Sequence, residues 1–140
     1  MSQSDGQWGS KSPLHESFNS CALALTIKRE TPFSANELDR LARVLMREIA
    51  ESTLKAGAMD IGHIKGVFET GGGLVYASTL GDPGDISVRG KTADGFSEIK
   101  MTLNSVVLGL GQASALAAAQ AAVETVAKSF QAKLYEGKEH

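Results

Sequence analysis

The sequence predicts an α+β fold, a two-layer sandwich in which two helices pack on one face of a mostly antiparallel sheet, in the order β-α-β-β-β-α. Three observations lead to this fold class. Several segments alternate apolar and polar residues with a period of two, which is typical of half-buried strands. Two longer segments repeat their apolar residues at helical spacing. The links between the central strands are short and rich in Gly, Pro or Asp, as in hairpins.

Five segments carry the signals of strands. Their apolar residues are β-branched, aromatic or long aliphatic, and Gly-containing or Pro-containing turns separate the central ones. In the last segment the alternation is the clearest, and its final "VVLGL" indicates burial on both sides. The predicted strands cover residues 21–28, 61–69, 74–80, 86–91 and 96–108.

The first helix has the strongest local signal in the chain. Ser34 and Glu37 have the spacing of a capping box, which predicts a helix that runs to about Ala56 and stops at Gly57. Three arginines lie opposite its apolar face, but acidic residues flank them at pairing distance. We therefore interpret this face as solvated and self-paired rather than as a phosphate-binding stripe. The arginines are Arg40, Arg43 and Arg47.

The second helix is predicted to begin after Gly111 and to end before Gly137. One of its faces is apolar, and the reverse is small and almost uncharged. Small residues let another backbone come close, so this reverse face could contact the first helix or a second subunit. The alternative is that the face is exposed to solvent and is rich in alanine only because alanine favours helices. The residues of this reverse face are Ala118, Ala121, Ala122, Thr125, Ser129 and Ala132.

Length and composition indicate one domain. The chain has 140 residues, 42% of them hydrophobic, which is enough for a substantial core. We assign the domain to residues 19–136, between a flexible leader at 1–18 and a tail at 137–140. The leader lacks the pattern of a secretory signal, and its Trp8 is either an incidental exposed aromatic residue or one that docks on the domain. The apolar stretch at 105–123 is too rich in Ala, Gln and Ser to predict a membrane span.

Charge and cysteine content exclude several classes of function. The formal charge of −2 gives no basic field over the whole chain, so we expect neither nucleic acid nor a membrane as a partner. Cys21 is the single cysteine and lies on the apolar side of its strand, where a thiol acts as a small hydrophobic group. The histidines lack the spacing of a zinc site, so we expect no metal and no cofactor; they are His15, His63 and His140. A cytoplasmic location fits these features.

The segment "IGHIKGVFETGGGLVYAS" predicts a β-hairpin whose loop is the "TGGG" at 70–73. If Glu69 pairs with Leu74, period two gives the rest of the register. Gly62 and Gly66 then leave room for a helix on the inner face. The predicted cross-strand pairs are Val67 with Tyr76, Lys65 with Ser78, and His63 with Leu80.

The outer face of this hairpin is the candidate site. His63, Lys65, Tyr76 and Ser78 become neighbours there, and these four are the predicted ligand-binding residues. Lysine and hydroxyl groups suit a carboxylate or a phosphate. If the site is catalytic, the candidates are His63, Lys65 and Glu69, since a lysine near a histidine and a carboxylate at the strand end can transfer protons.

Two Gly-rich segments suggest other sites but fit turns better. The "GGG" of the hairpin precedes a strand, whereas a phosphate loop precedes a helix and is followed by Lys and Ser or Thr. The "GDPGD" at 81–85 offers Asp82 and Asp85 to a cation, but two carboxylates are too few for calcium.

Three functions remain open. The preferred hypothesis is a small non-enzymatic module that binds a small anionic ligand or a protein partner on its open sheet face and self-associates as a homodimer. The first alternative is a small enzyme acting on an anionic metabolite, with Lys65 and His63 at its centre. The second is an accessory subunit of a larger enzyme, with the leader and the loop at 90–98 as its contacts.

Overall fold

The sheet and its two helices account for nearly all of the described chain. The structure, a computed structural model, describes residues 18–82 and 84–136. These residues form a single sheet whose six strands are all antiparallel, in the spatial order β4-β3-β2-β5-β1-β6. In chain order the elements are β1 Phe18–Phe33, α1 Ala35–Lys55, β2 Asp60–Thr70, β3 Gly73–Thr79, β4 Ile86–Thr92, β5 Phe96–Leu108, α2 Gln112–Ser129 and β6 Lys133–Glu136.

The predicted α+β class with two helices on one antiparallel sheet is confirmed. All five predicted segments are strands, and four of them lie between the helices, where the predicted order β-α-β-β-β-α counts three. The structure adds a sixth strand, β6, after α2. The second helix ends at Ser129, earlier than predicted, because Gln131 adopts a φ of 60° and turns the chain towards the sheet. Leu134, predicted to lie on that helix, instead pairs with Ile27 of β1.

The predicted leader and tail lie almost entirely outside the described residues. Strand β1 begins at Phe18, the last residue of that leader. Trp8, His15 and His140 belong to the segments that are not described. Within the described residues, neither helix is long and apolar enough to cross a bilayer.

The capping box at the start of α1 is confirmed. The Ser34 Oγ accepts a hydrogen bond from the Glu37 backbone N–H at 3.1 Å, and a Glu37 carboxylate oxygen accepts one from the Ser34 N–H at 3.0 Å. Arg29 of β1 holds the same carboxylate with two hydrogen bonds, of 2.8 and 2.9 Å. The Arg29 hydrogen bond and that of the Ser34 N–H hold the pKa of the Glu37 carboxyl below its usual value.

The arginine face of α1 is partly self-paired. Arg43 forms a 2.9 Å ion pair with Asp39, as the spacing predicts. Arg40 lies over the ring of Phe130, 5.4 Å from its centroid. Within the described residues, the other predicted pairs are not closed to 4.0 Å; they join Arg47 to Glu51 and Glu51 to Lys55.

Both helices cover the same face of the sheet. Helix α1 packs on β2, β3 and β4, and α2 packs on β1, β5 and β6. Burial of the apolar residues between the layers is the main stabilising term. Burial also raises the pKa of the Cys21 thiol, which lies in this core. The largest fully buried side chains are Phe33, Phe68, Ile27, Leu38, Leu41, Leu45, Met46, Ile49, Ile64, Ile99, Met101 and Val107.

The small face of α2 is divided between the core and the solvent. Ala118 and Ala122 are buried, and the Ser52 hydroxyl of α1 donates a 3.0 Å hydrogen bond to the Ala118 carbonyl oxygen. Ala121 and Thr125 are exposed. The buried part of this face therefore contacts the first helix, because alanine lets the two helix backbones come close.

Candidate functional site

The outer face of the β2–β3 hairpin has the predicted register over most of its length. Lys65 lies opposite Ser78, and Val67 lies opposite Tyr76. Paired residues in an antiparallel sheet point to the same side, so these side chains share the face that the helices leave open. Strand β4 extends the group, because Arg89 pairs with Tyr76 and Ser87 pairs with Ser78.

These residues line a shallow groove of about 520 Å³ across β2, β3 and β4. The Tyr76 side chain, 48% exposed, stands in its middle. Lys65 and Arg89 are exposed on either side of Tyr76, and Val67 is half-buried. The groove thus combines a flat apolar ring with two cations and several hydroxyl groups. Its full lining is Lys65, Gly66, Val67, Tyr76, Ala77, Ser78, Ser87, Arg89 and Gly90.

Gly90 allows β4 to approach β3 at this groove. It has a φ of +99°, in the left-handed region that L side chains rarely adopt. A methyl group at this position would also overlap the carbonyl oxygen of Leu74 on β3. Glycine is therefore required here on two counts, and it keeps Arg89 next to Tyr76.

Gly66 has a different role from the one predicted. A Cβ atom there would lie 3.0 Å from both the Leu103 side chain and the Phe68 ring. The space that Gly66 leaves is thus occupied by neighbouring sheet side chains, not by a helix. This arrangement lets the Phe68 ring pack inside the core beneath the groove.

The two cations of the groove have no acidic neighbour across the strands. Lys65 faces Ser78 and Asn104, and Arg89 faces Tyr76. Within the described chain neither forms a salt bridge within 4.0 Å. Two charges left without a carboxylate make the groove attractive to an anion.

The rest of the face is arranged differently. Glu69 lies opposite Lys100, and Glu98 lies opposite Lys28. These lysines each have a carboxylate as a cross-strand neighbour, which lowers the local positive potential.

His63 lies apart from the groove. Gly62 forms a bulge in β2, so that His63 pairs with Val106 of β5. The β2–β3 ladder ends at Ile64 and Thr79, and the predicted pair of His63 with Leu80 is not part of it. The reason is local, since the chain turns at Gly81, which has a φ of +107° and lies so close to Ile61 that an added Cβ would be 2.8 Å from the Ile61 Cβ.

Glu69 is at the opposite end of β2, in a second cleft of about 630 Å³ that also contains Asp94 and Lys100. The structure therefore brings Lys65, Tyr76 and Ser78 together, but it places His63 and Glu69 outside their groove.

Arg89 is the residue that sequence reasoning missed. The alternation in "ISVRGKT" puts Ser87, Arg89 and Lys91 on one face of the strand, so the sequence could predict that Arg89 shares a face with Ser87. The sequence could not predict that Arg89 pairs with Tyr76, because that pairing depends on the register across the loop at 80–85.

The acidic turn at 81–85 is held by its own hydrogen bonds. The Asp82 carboxylate accepts a 3.0 Å bond from the Gly84 N–H, and the Asp82 carbonyl oxygen accepts a 2.8 Å bond from the Asp85 N–H. Over residues 18–82 and 84–136, no group of three His, Cys, Asp or Glu side chains is placed to hold a metal ion.

Chemically, the groove suits an anion with an attached flat group. Arg and Lys donate charge-assisted hydrogen bonds to carboxylates and phosphates, and the hydroxyls of Tyr76, Ser78 and Ser87 can orient such a ligand. The tyrosine ring offers a surface for stacking.

Comparison with known proteins adds no family to this description: no family model, curated protein or solved structure shows significant similarity to the chain.

Proposed function

We propose that this protein is a small non-enzymatic binding module that takes up an anionic small molecule with a flat apolar group in the groove around Tyr76, and that it self-associates. The observation that carries the proposal is the placement of Lys65 and Arg89 on either side of an exposed aromatic ring, with no carboxylate across from them. The groove is open and shallow, which suits reversible binding of a partly exposed ligand.

Phenyl phosphate is a suitable probe, because it joins a phosphate to a ring of the size of the tyrosine side chain. Titration followed by two-dimensional NMR should shift the amide signals of β2, β3 and β4 first. Lys65→Ala and Arg89→Ala should each weaken binding by about tenfold, which corresponds to the loss of one charge-assisted hydrogen bond. Tyr76→Ala should weaken it as well, whereas Tyr76→Phe should retain the stacking contribution.

Lys55→Ala is the matched control, because it removes an exposed cation from the end of α1, in the other layer of the sandwich. Phenol and inorganic phosphate, tested separately, should bind more weakly than phenyl phosphate. If phenyl phosphate produces no shifts, or if Lys55→Ala weakens binding as much as Arg89→Ala does, the groove is not the site.

The non-enzymatic part of the proposal is supported by the position of His63. The enzyme alternative needs His63 and Lys65 to act on the same ligand, but only Lys65 lines the groove. Phenyl phosphate should therefore shift the ring signals of Tyr76 and leave those of His63 in place. Equal shifts at His63 and Tyr76 would favour the enzyme instead.

Self-association is supported by exposed hydrophobic side chains at one end of the sandwich. We define this apolar end by four residues that lie where β2 begins and β5 finishes: Phe18, Leu54, Met59 and Leu80, which are 44%, 42%, 74% and 66% exposed. A patch of this kind is typical of a surface that is covered by another chain. We propose that a second copy of this protein covers it, in place of the small face of α2, which is partly occupied by α1.

A further inference from the structure

The outer face of the sheet carries more cations than carboxylates. At the positions of the outer sheet face that the strand register defines, six Lys or Arg residues stand with three Asp or Glu residues. The chain as a whole has a net charge of −2, and the two helices are neutral, with five Lys or Arg and five Asp or Glu residues between them. The acidic excess therefore lies outside both the helices and this face. The cations are Lys28, Lys65, Arg89, Lys91, Lys100 and Lys133, and the carboxylates are Asp60, Glu69 and Glu98.

The same face displays two exposed tyrosines on separate strands. Tyr76 on β3 is 48% exposed, and Tyr135 on β6 is 47% exposed. The order β3-β2-β5-β1-β6 separates them by four strand spacings, or about 19 Å. At the β6 end the Lys28 ammonium lies 5.0 Å from the centre of the Tyr135 ring, so a cation and a ring are adjacent there too.

Polar uncharged side chains lie between the two tyrosines. Thr102 and Asn104 of β5 and Thr26 of β1 project from the outer face, and the first two are exposed. A surface of this kind has cations for phosphates, hydroxyl and amide groups for polar edges, and rings for the flat faces of bases. Over the part of the chain that the structure describes, both helices cover the opposite face and leave this one open, which suits an extended chain better than a compact ligand.

We infer that this face binds single-stranded nucleic acid, with a phosphate held by Lys65 and Arg89, a base stacked on Tyr76, and the strand continuing across β2, β5 and β1 towards Lys133. The inference rests on the proposed function, since the anion groove is its first subsite. The expectation of no nucleic acid was based on the net charge of the chain, which averages the cationic sheet face with neutral helices and with acidic residues elsewhere in the chain. A bound strand touches only the sheet face.

An acidic polypeptide could also bind a positively charged face. The exposed aromatic rings favour a single-stranded nucleic acid over an acidic polypeptide. A base stacks on a tyrosine with a large contribution to affinity, whereas a chain of glutamates gains little from a ring. The double helix is disfavoured because its bases are already stacked and cannot use the tyrosines.

The test is fluorescence anisotropy with a labelled oligothymidylate of about ten nucleotides, inside the range of ~4–16 nucleotides that single-strand-binding sheets cover. The native protein should bind it, and the affinity should fall steeply with added salt. Tyr76→Ala should weaken binding by about tenfold, and Tyr76→Phe should bind like the native protein. Lys133→Ala, on the far strand, should weaken binding and lower the slope of log affinity against log salt by about 0.7.

Lys128→Ala is the matched control, because Lys128 is an exposed cation on α2, in the helical layer. It should leave the affinity unchanged. Circular dichroism and thermal unfolding of each variant will show that it is folded. The inference is overturned if the oligonucleotide does not bind at low salt or if Lys133→Ala does not weaken its binding. It is also overturned if poly-L-glutamate binds as tightly as the oligonucleotide and Tyr76→Ala leaves both affinities unchanged. Binding of phenyl phosphate without binding of the oligonucleotide would leave the small-anion site intact and remove the nucleic acid alone.

Discussion

Gly90 is the position at which one added methyl group should disturb the groove most. Gly90→Ala combines a φ of +99° with an overlap between the new Cβ and the Leu74 carbonyl oxygen. We expect it to lower the free energy of unfolding by about 2 kcal/mol or more, since backbone strain of this kind costs ~1–3 kcal/mol before the overlap is counted. Urea denaturation followed by circular dichroism measures the change.

Substitutions at two other glycines separate the cost of the positive φ from the cost of the overlap with Leu74. Gly95 also has a positive φ, +87°, but a Cβ there would have no neighbour within 4 Å. Gly95→Ala should therefore cost only the conformational term, about 1 kcal/mol. Gly71 has open space as well and no positive φ, so Gly71→Ala should stay within ~0.5 kcal/mol of the native protein. Equal effects at the three positions would contradict this account of Gly90.

Glu37 should make the stability of the protein depend on pH in the acid range. Its pKa is lowered in the folded state, first by the Arg29 hydrogen bond and then by that of the Ser34 N–H. The unfolded chain therefore binds the proton more tightly, and the stability that is present above the ordinary carboxyl pKa, about 4.3, is lost as the pH falls through the lower folded value.

The variant Glu37→Gln removes this proton-linked contribution. Below the ordinary carboxyl range, its unfolding free energy should fall less steeply with pH than that of the native protein. Urea melts at a series of pH values measure this slope, with Glu124→Gln on α2 as a control that removes an exposed carboxylate. A slope in Glu37→Gln that matches the native slope would show that the Arg29 contact does not persist in solution.

At the scale of elements, local signals located the strands well. The observed strands β2 to β5 begin and end within one residue of the predicted bounds. The predicted bounds are 61–69, 74–80, 86–91 and 96–108. Alternation and Gly-containing turns act over a few residues, and they are visible in any single sequence. The capping box of α1 is local in the same sense.

Strand β6 could not be predicted because its conformation depends on a distant partner. The apolar residues that follow α2 continue its helical spacing, and Gln131, where the chain leaves the helix, is not a residue that usually marks a positive φ. The segment becomes a strand because Leu134 pairs with Ile27, more than a hundred residues earlier in the chain. The bulge at Gly62, which moves His63 off the β3 ladder, is likewise a property of the packed sheet.

The packing of α2 against α1 should tolerate only small side chains. Ala122 is 3% exposed and lies on the helix face that includes Ala118. Ala122→Leu should destabilise the protein by about 1–3 kcal/mol, because the added atoms have no space between the two layers of packed residues. Ala121 is the neighbouring exposed alanine, and Ala121→Leu should change the stability by less than ~0.5 kcal/mol. Thermal and urea unfolding compare the two, and equal tolerance of leucine would mean that this helix face is not a core contact.

At the scale of the whole molecule, the candidate site depends on strand order. The hairpin register places Lys65 near Ser78, and the sequence predicts this because the loop length defines it. Arg89 lies beside these residues only because β4 pairs with β3. Asn104 lies opposite Lys65 only because β5 pairs with β2 on its other side. The excess of cations over carboxylates on the outer sheet face follows from these pairings, and composition cannot reveal it.

The two exposed regions of the molecule suit different partners. The outer sheet face carries an excess of positive charge, so two copies placed face to face would repel each other. The apolar end has no such excess among its four defining side chains, and their exposure leaves hydrophobic area to be covered. We therefore expect self-association to use the apolar end and to leave the sheet face free for its ligand.

Sedimentation equilibrium over a range of protein concentrations tests this division. The native protein should show a reversible dimer, and Met59→Ser combined with Leu80→Ser should shift it to monomer because the two most exposed side chains of the apolar end are lost. Leu74→Ser is the control, since Leu74 is an exposed leucine, 38%, on the sheet face. The dimer should still bind phenyl phosphate with the affinity of the monomeric variant. A native protein that remains monomeric at the highest concentration would refute the self-association, and a dimer that excludes phenyl phosphate would place the interface on the sheet face instead.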